Sequence, residues 1–320
     1  MLKRFFIFWG MVLASVFCSL IGIVPNIYLL GICLILGSLG SGFFHPQATG
    51  FAGYYSGENI TKNMGIFLAC GTFGFALGPL ISSSIADFLG LQYLPYIMSI
   101  GLICALLILK FVPKIKKESV SVKAEGLTDA LKDILKDNTM RILIMISILK
   151  SFITTTFSLF PPFLWTEMGY STFKIGVLVF LYLIFSGMGT FSSHFFEKRI
   201  GAINTFKISL MSTFPLALLY FITYKHYPVL SLIFYFMIGY FALLSVSINM
   251  VFAQKRMPKY KNIISGFIGG FSWGVVGIML ASFGFIAEHY GVKPLLIGIS
   301  LVPFVCSYFL KYLNPKELNG

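Results

Sequence analysis

Charged side chains are scarce in this sequence: 11% of its 320 residues are Asp, Glu, Lys or Arg, against 57% that are hydrophobic. A soluble domain carries about 25% charge, so a water-facing globular surface over most of the chain is excluded. A mean hydropathy of +0.88 excludes disorder. Acids number only 11, and none sits in the middle of an apolar run. That removes an intramembrane aspartyl protease, which needs two buried carboxyls. There is no His-Glu-x-x-His pair for a zinc protease and no glycine-lysine phosphate loop for ATP. The five cysteines (Cys18, Cys33, Cys70, Cys104, Cys306) each fall inside an apolar run, without ligand spacing or a disulfide framework. The expectation is a protein that is not an enzyme, with no cofactor and no metal.

What is present is apolar length. A bilayer core of ~30 Å takes about 20 apolar residues per helix. Ten runs qualify, at 5–24, 28–52, 63–86, 92–112, 140–164, 173–194, 204–223, 228–252, 263–287 and 293–312. The predicted fold class is an all-α polytopic membrane protein of ten transmembrane helices. With both termini inside, the inner segments hold 20 of the 24 Lys and Arg residues, and the outer loops hold only Lys174, Lys225 and Lys293. This is the positive-inside pattern. It reads the net charge of +13 as a topology signal facing anionic lipid in the cell membrane, with no nucleic acid needed.

Three regions follow: a four-span bundle at 1–112, a cytoplasmic linker at 113–139, and a six-span bundle at 140–320. Within the linker, Leu127, Ala130, Leu131, Ile134 and Leu135 recur at helical spacing. They predict an amphipathic helix lying at the inner membrane interface. An internal repeat relates the two bundles. Asp87 and Glu288, Gly90 and Gly291, and Gly65 and Gly266 are each separated by 201 positions. That offset leaves the first two spans of the second bundle without counterparts in the first, and the expectation is a six-plus-six bundle lacking its first two helices.

Two parallel six-helix repeats joined by a cytoplasmic linker resemble the major facilitator superfamily. Gly71-Thr-Phe-Gly74-Phe-Ala-Leu-Gly78-Pro79 resembles the glycine-proline motif in the fifth helix of its proton-coupled exporters. Glu197-Lys198-Arg199-Ile-Gly201 resembles a degenerate second copy of its acid-basic-glycine loop. Within the superfamily, Gly40-Ser-Gly-Phe-Phe-His45-Pro46-Gln47-Ala and Phe271-Ser-Trp273-Gly274-Val-Val-Gly277 are similar to the fosmidomycin-resistance exporters. The resemblance implies efflux of a small anionic drug or metabolite in exchange for protons.

Single residues carry further expectations. Lys150 lies nine residues past Arg141, the inner boundary, which is ~14 Å deep at 1.5 Å per residue. A lysine there costs at least ~2.5 kcal/mol unless paired or wetted. It is either a cation lining the central pathway or a structural pair with a helix carbonyl. His45 suits a proton relay, or is a neutral histidine bonded between helices. Gln47 is a neighbouring polar contact, Ser247 and Asn249 are inter-helix glue or substrate contacts, and Trp273 covers a cavity or packs. Gly71, Gly74 and Gly78, with Gly270, Gly274 and Gly277, are expected to pack helices tightly along a hinge seam, with Pro79 as its bend. Asp87 and Glu288 read as solvated helix ends rather than gate partners. The functional expectation is a monomeric secondary transporter working on a small molecule and protons in the lipid bilayer. Its alternatives are a transport-incompetent membrane remnant or a carrier of a different substrate, such as a sugar.

Overall fold

The computed structural model describes residues 2–112 and 127–313, and every regular element among them is helical. Ten of the described helical stretches are long and apolar enough to cross a membrane, and they coincide with the ten runs read from the sequence. The first four are α1 (Leu2–Leu20), α2 (Ile27–Tyr55), α3 (Ile60–Phe88) and α4 (Met98–Phe111), the last entered through a 3-10 turn at Leu91–Ile97. A short α5 (Leu127–Lys136) precedes the other six. These are α6 (Asn138–Leu159) with α7 (Pro161–Glu167), α8 (Thr172–Ile200), α9 (Ala202–Met211) with α10 (Thr213–Thr223), α11 (Pro228–Leu243) with α12 (Val246–Arg256), α13 (Lys261–Ser265) with α14 (Ser272–Tyr290), and α15 (Val292–Cys306). A π-helical segment, Gly266–Phe271, joins α13 to α14.

Local chemistry sets the helix ends. Asn26, Asp137 and Ser171 each accept a backbone N–H three residues on (Leu29, Met140 and Lys174) and so start α2, α6 and α8. Gly90 and Gly291, the repeat-related pair, follow α3 and α14 with φ of 103° and 89°, a conformation that penalises any Cβ. Gly201 ends α8 in the same way, with φ of 82°.

The most buried span is α6 with α7, while α1 and α4 present most of their surface outward, as lipid-facing helices do. Two apolar cores form around α6. One gathers Met140, Leu143, Ile146, Ile248 and Phe252 toward the end where Lys198, Arg199, Lys255 and Arg256 lie, hereafter the basic end. The other gathers Phe157, Trp165, Tyr182, Tyr220 and Tyr235 toward the far end. The amphipathic α5 is present, and part of its stripe covers protein: Ala130 and Ile134 are fully buried in the basic-end core, while Leu135 is exposed. Polar contacts hold it there, with Asp133 accepting from the Tyr260 hydroxyl at 2.9 Å and Asp137 pairing with Arg256 at 2.9 Å. The rest of the expected linker, residues 113–126, lies outside the described residues.

Candidate functional site

Two helix pairs organise the junction between the first four spans and the last six. On one side α3 and α8 run antiparallel in close contact. Phe73 lies against Gly187, and Ser83 with the Pro79 carbonyl lies against Gly176, so closely that neither glycine has room for a Cβ. Both ends of this seam are fastened. At the far end Asp87 Oδ2 accepts the Phe173 backbone N–H at 2.8 Å, at the start of α8. Phe88 meets Phe173 edge-on beside it, ring centroids 5.3 Å apart. At the basic end the Glu197 carboxylate has the Thr61 hydroxyl as hydrogen-bond partner, with His194 and Lys255 nearby. Asp87 is exposed, as a solvated helix end is, and it also fastens the two sets of spans together. Free N–H groups and the positive dipole at the start of α8 attract it. Its repeat partner Glu288 is exposed.

On the other side α3 and α14 make little backbone contact, and the open side between them is the candidate cleft. Phe75 and Trp273 meet edge-on across it, ring centroids 6.2 Å apart. Gly71 and Gly78 share a helix face with Phe75, and Gly270 and Gly277 share one with Trp273, by their three- and four-residue spacing. A Cβ on Gly71, Gly74, Gly78, Gly270, Gly274 or Gly277 would meet no atom within 4 Å. These six glycines face open space, and none of them packs against a neighbouring helix. Close packing falls elsewhere, at Gly176, Gly187, Gly189 and Gly239, where backbone or side chains of a neighbouring helix fill the space a Cβ would take. Pro79 belongs to the α3–α8 seam through its carbonyl.

Toward the basic end this open side closes. The Pro46 ring lies 3.8 Å from the space above Gly266, joining α2 to the π segment. Gly53 of α2 lies against the amide of Gln254 on α12, and the Cβ that Gly65 of α3 lacks would lie 3.5 Å from the Ser247 hydroxyl. Gln254 and Ser247 are fully buried here. Gln254 donates to Ser265 at 2.9 Å, yet its Oε1, like Ser247 Oγ, has no partner. Each such buried orphan costs ~1–3 kcal/mol.

The expected site residues do not gather at one point. His45 is exposed on α2, beside the Pro46 contact, with its ring 5.4 Å from that of Phe44. Gln47 is half-buried, and its Oε1 has no partner. Trp273 stands 44% exposed at the cleft. Asn249 is fully buried and donates to the Leu143 carbonyl at 3.0 Å, bonding α12 to α6. Lys150 turns away from the cleft into the last six spans. It is 2% exposed and donates to Ser209 Oγ at 2.5 Å and to the Ala242 carbonyl at 3.0 Å. That is the geometry of a pair with a helix carbonyl. In the loop motif Glu197 joins the seam, Lys198 and Arg199 are exposed, and Gly201 N–H closes α8 on the Glu197 carbonyl at 2.9 Å. Sequence reasoning missed Ser209, Gln254 and the fastening by Asp87. Only the last left a signal, an acid recurring at equivalent helix ends.

Ten apolar helices, in two sets of spans that meet along a fastened seam, make a multi-pass membrane protein. The family model of the Major Facilitator Superfamily matches residues 2–282, and the chain belongs to that superfamily. It is 24% identical over 317 residues to an uncharacterized MFS-type transporter of Bacillus subtilis, covering 93% of this chain and 75% of that protein. It is also 24% identical over 274 residues to the fosmidomycin resistance protein of Escherichia coli, covering 84% of this chain and 65% of that one. Among solved structures, the Escherichia coli fucose:proton symporter shares the fold with a TM-score of 0.69 at 15% identity, covering 96% of this chain and 84% of that chain. The human organic anion transporter MFSD10 does so with a TM-score of 0.71 at 16% identity, covering 95% and 77%.

Proposed function

We propose that this chain acts in secondary active transport at the cell membrane, exporting a small anionic solute of the fosmidomycin kind in exchange for protons by alternating access. In this reading 1–112 and 140–320 are the two moving bundles, both termini are cytoplasmic, and the basic end faces the cytosol. The supporting observation is the cleft between α3 and α14, walled by glycines and sealed at the basic end with orphaned polar atoms of Ser247 and Gln254 buried in the seal. Such atoms favour the state in which water reaches them, so the seal is built to open. His45, exposed beside the seal, is the proton-carrying candidate, since imidazole titrates near neutral pH.

A second reading is a carrier of neutral solutes such as sugars. It is favoured by the aromatic pair Phe75 and Trp273 at the cleft and by the placement of the Lys150 amine inside the last six spans.

The test is flux of radiolabelled fosmidomycin in proteoliposomes under an imposed pH gradient, beside tolerance of drug-sensitive cells expressing the chain. Export that follows the gradient and loses that dependence in His45→Gln supports the first reading. Absence of any fosmidomycin flux or tolerance, with uptake of a neutral sugar instead, overturns it in favour of the second.

A further inference from the structure

The span that begins with α11 is broken at its middle. α11 ends at Leu243 and α12 starts at Val246, and the gap contains neither proline nor glycine. A break at membrane depth frees carbonyls that water cannot reach, and it persists only where side chains take them up. All four consecutive carbonyls at this break have a side-chain donor, and the donors come from three other helices. Ser209 of α9 donates to the Phe241 carbonyl at 2.6 Å. Lys150 of α6 donates to Ala242 at 3.0 Å. Thr190 of α8 reaches Leu243 at 3.4 Å, and Ser193 of α8 donates to Leu244. Lys150 also donates to Ser209 Oγ, so the two donors support each other.

The approach of α8 explains why the hydroxyls reach so far. Gly189 lies directly on the Tyr240 backbone, and Gly239 lies 2.7 Å, at the Cβ it lacks, from the Tyr182 carbonyl. Two glycines bring α8 and α11 into backbone contact, and Thr190 and Ser193 follow within one turn. One turn before Lys150 on α6, Ser147 donates to the Ile268 carbonyl inside the π segment. The same helix thus holds irregular carbonyls in two different spans.

We propose that Lys150 is a positioning residue for transport, whose amine fixes the break between α11 and α12 and yokes both to α6. It does this by donating to a freed backbone carbonyl, and it has no need of a substrate or an acidic partner. This assignment does not depend on what the carrier moves.

The test is hydrogen–deuterium exchange of the full chain in lipid nanodiscs, read over 241–249 with 176–188 as the control segment. Lys150→Met keeps the chain length and removes the donor. Exchange over 241–249 rises by about tenfold or more, as loss of one buried backbone tether implies, while the control segment stays unchanged. In Lys150→Ala, added propylammonium restores protection and propanol of matching size does not, which separates donation from mere filling of space. Should Lys150→Met fail to fold, Ser209→Ala removes the companion donor and raises exchange in the same segment by a smaller factor. Unchanged exchange over 241–249 in either folded variant overturns the proposal, as does equal rescue by propanol.

Discussion

The contact of Phe73 with Gly187 offers a direct test of the α3–α8 seam, because the first four spans and the last six meet there through a single ring and a missing methyl. A Cβ on Gly187 would overlap the Phe73 ring, and the three atoms nearest to it all belong to that one side chain. Gly187→Ala is therefore overpacking against one partner, with an expected loss of ~1–3 kcal/mol. Phe73→Leu withdraws the ring at a loss of about 1–2 kcal/mol, since the residue is only half-buried. Together the two changes relieve each other, and the double variant should be better than the sum of its parts by ~1–2 kcal/mol, the size of a coupling between touching residues. The assay is thermal unfolding in nanodiscs at one scan rate, where each kcal/mol moves Tm by about 2 °C in a chain of this size. Gly74→Ala, on the open face of the same helix, meets nothing. It serves as a control, and its Tm should hold or rise, since alanine is worth up to ~1 kcal/mol over glycine in a helix. Additive losses from Gly187→Ala and Phe73→Leu, or equal losses at Gly187 and Gly74, would refute the packing argument.

Three further outcomes are expected. Asp87→Asn weakens the carboxylate's bond to the Phe173 N–H by about 1 kcal/mol. It should raise maleimide labelling of a cysteine placed at Phe173 in intact membranes, whereas Glu288→Gln should leave that labelling unchanged. Asp137→Ala removes the cap of α6 and the Arg256 pair together, for ~1–2 kcal/mol, and should make α5 more open to proteolysis than in the parent chain. Gln254→Met removes an orphaned oxygen from the seal without emptying the space. It also removes the bond to Ser265, so the two effects largely offset and its Tm should change little while solute flux slows, as measured by counterflow.

The spans were legible because bilayer thickness demands apolar length, and length is written in the sequence. Which face of each span meets protein was not legible. From Met64 to Ile81, α3 carries Thr72 as its one polar side chain. It turns Met64, Ala69 and Ala76 into protein and Gly71, Phe75 and Gly78 toward the cleft, and no alternation of polar with apolar residues distinguishes the two faces. The glycine stripes of α3 and α14 have the spacing of helix-packing motifs, and spacing alone does not tell a packed stripe from an open one. Lys150 was legible as an exception, a cation at membrane depth that must have partners. Its two readings could be separated only by seeing which way the side chain leaves α6. The break at Leu244 was hidden altogether, because it is imposed from outside by the close passage of α8 and carries no proline or glycine of its own.

These hidden features share a cause that bears on motion. Irregular backbone occurs in several spans, among them α11 with α12 and α13 with α14, and the second of these borders the open side at Trp273. Both are tied to α6, the most buried span, through Lys150 and Ser147 one turn apart, and Asn249 ties α12 to α6 again at Leu143. A helix broken in lipid is a place where bending is cheap, provided the freed carbonyls keep their donors. If the two sets of spans rock as proposed above, the fastened seam of α3 and α8 directs that movement to the side where α14 faces open space. In the transport cycle proposed above, the π segment is the joint at which α14 swings, held to α6 on its near side through the Ile268 carbonyl. Ser147→Ala should therefore change the distance distribution between spin labels on α3 and the far half of α14. The same substitution should leave the distribution between α3 and α8 as it was.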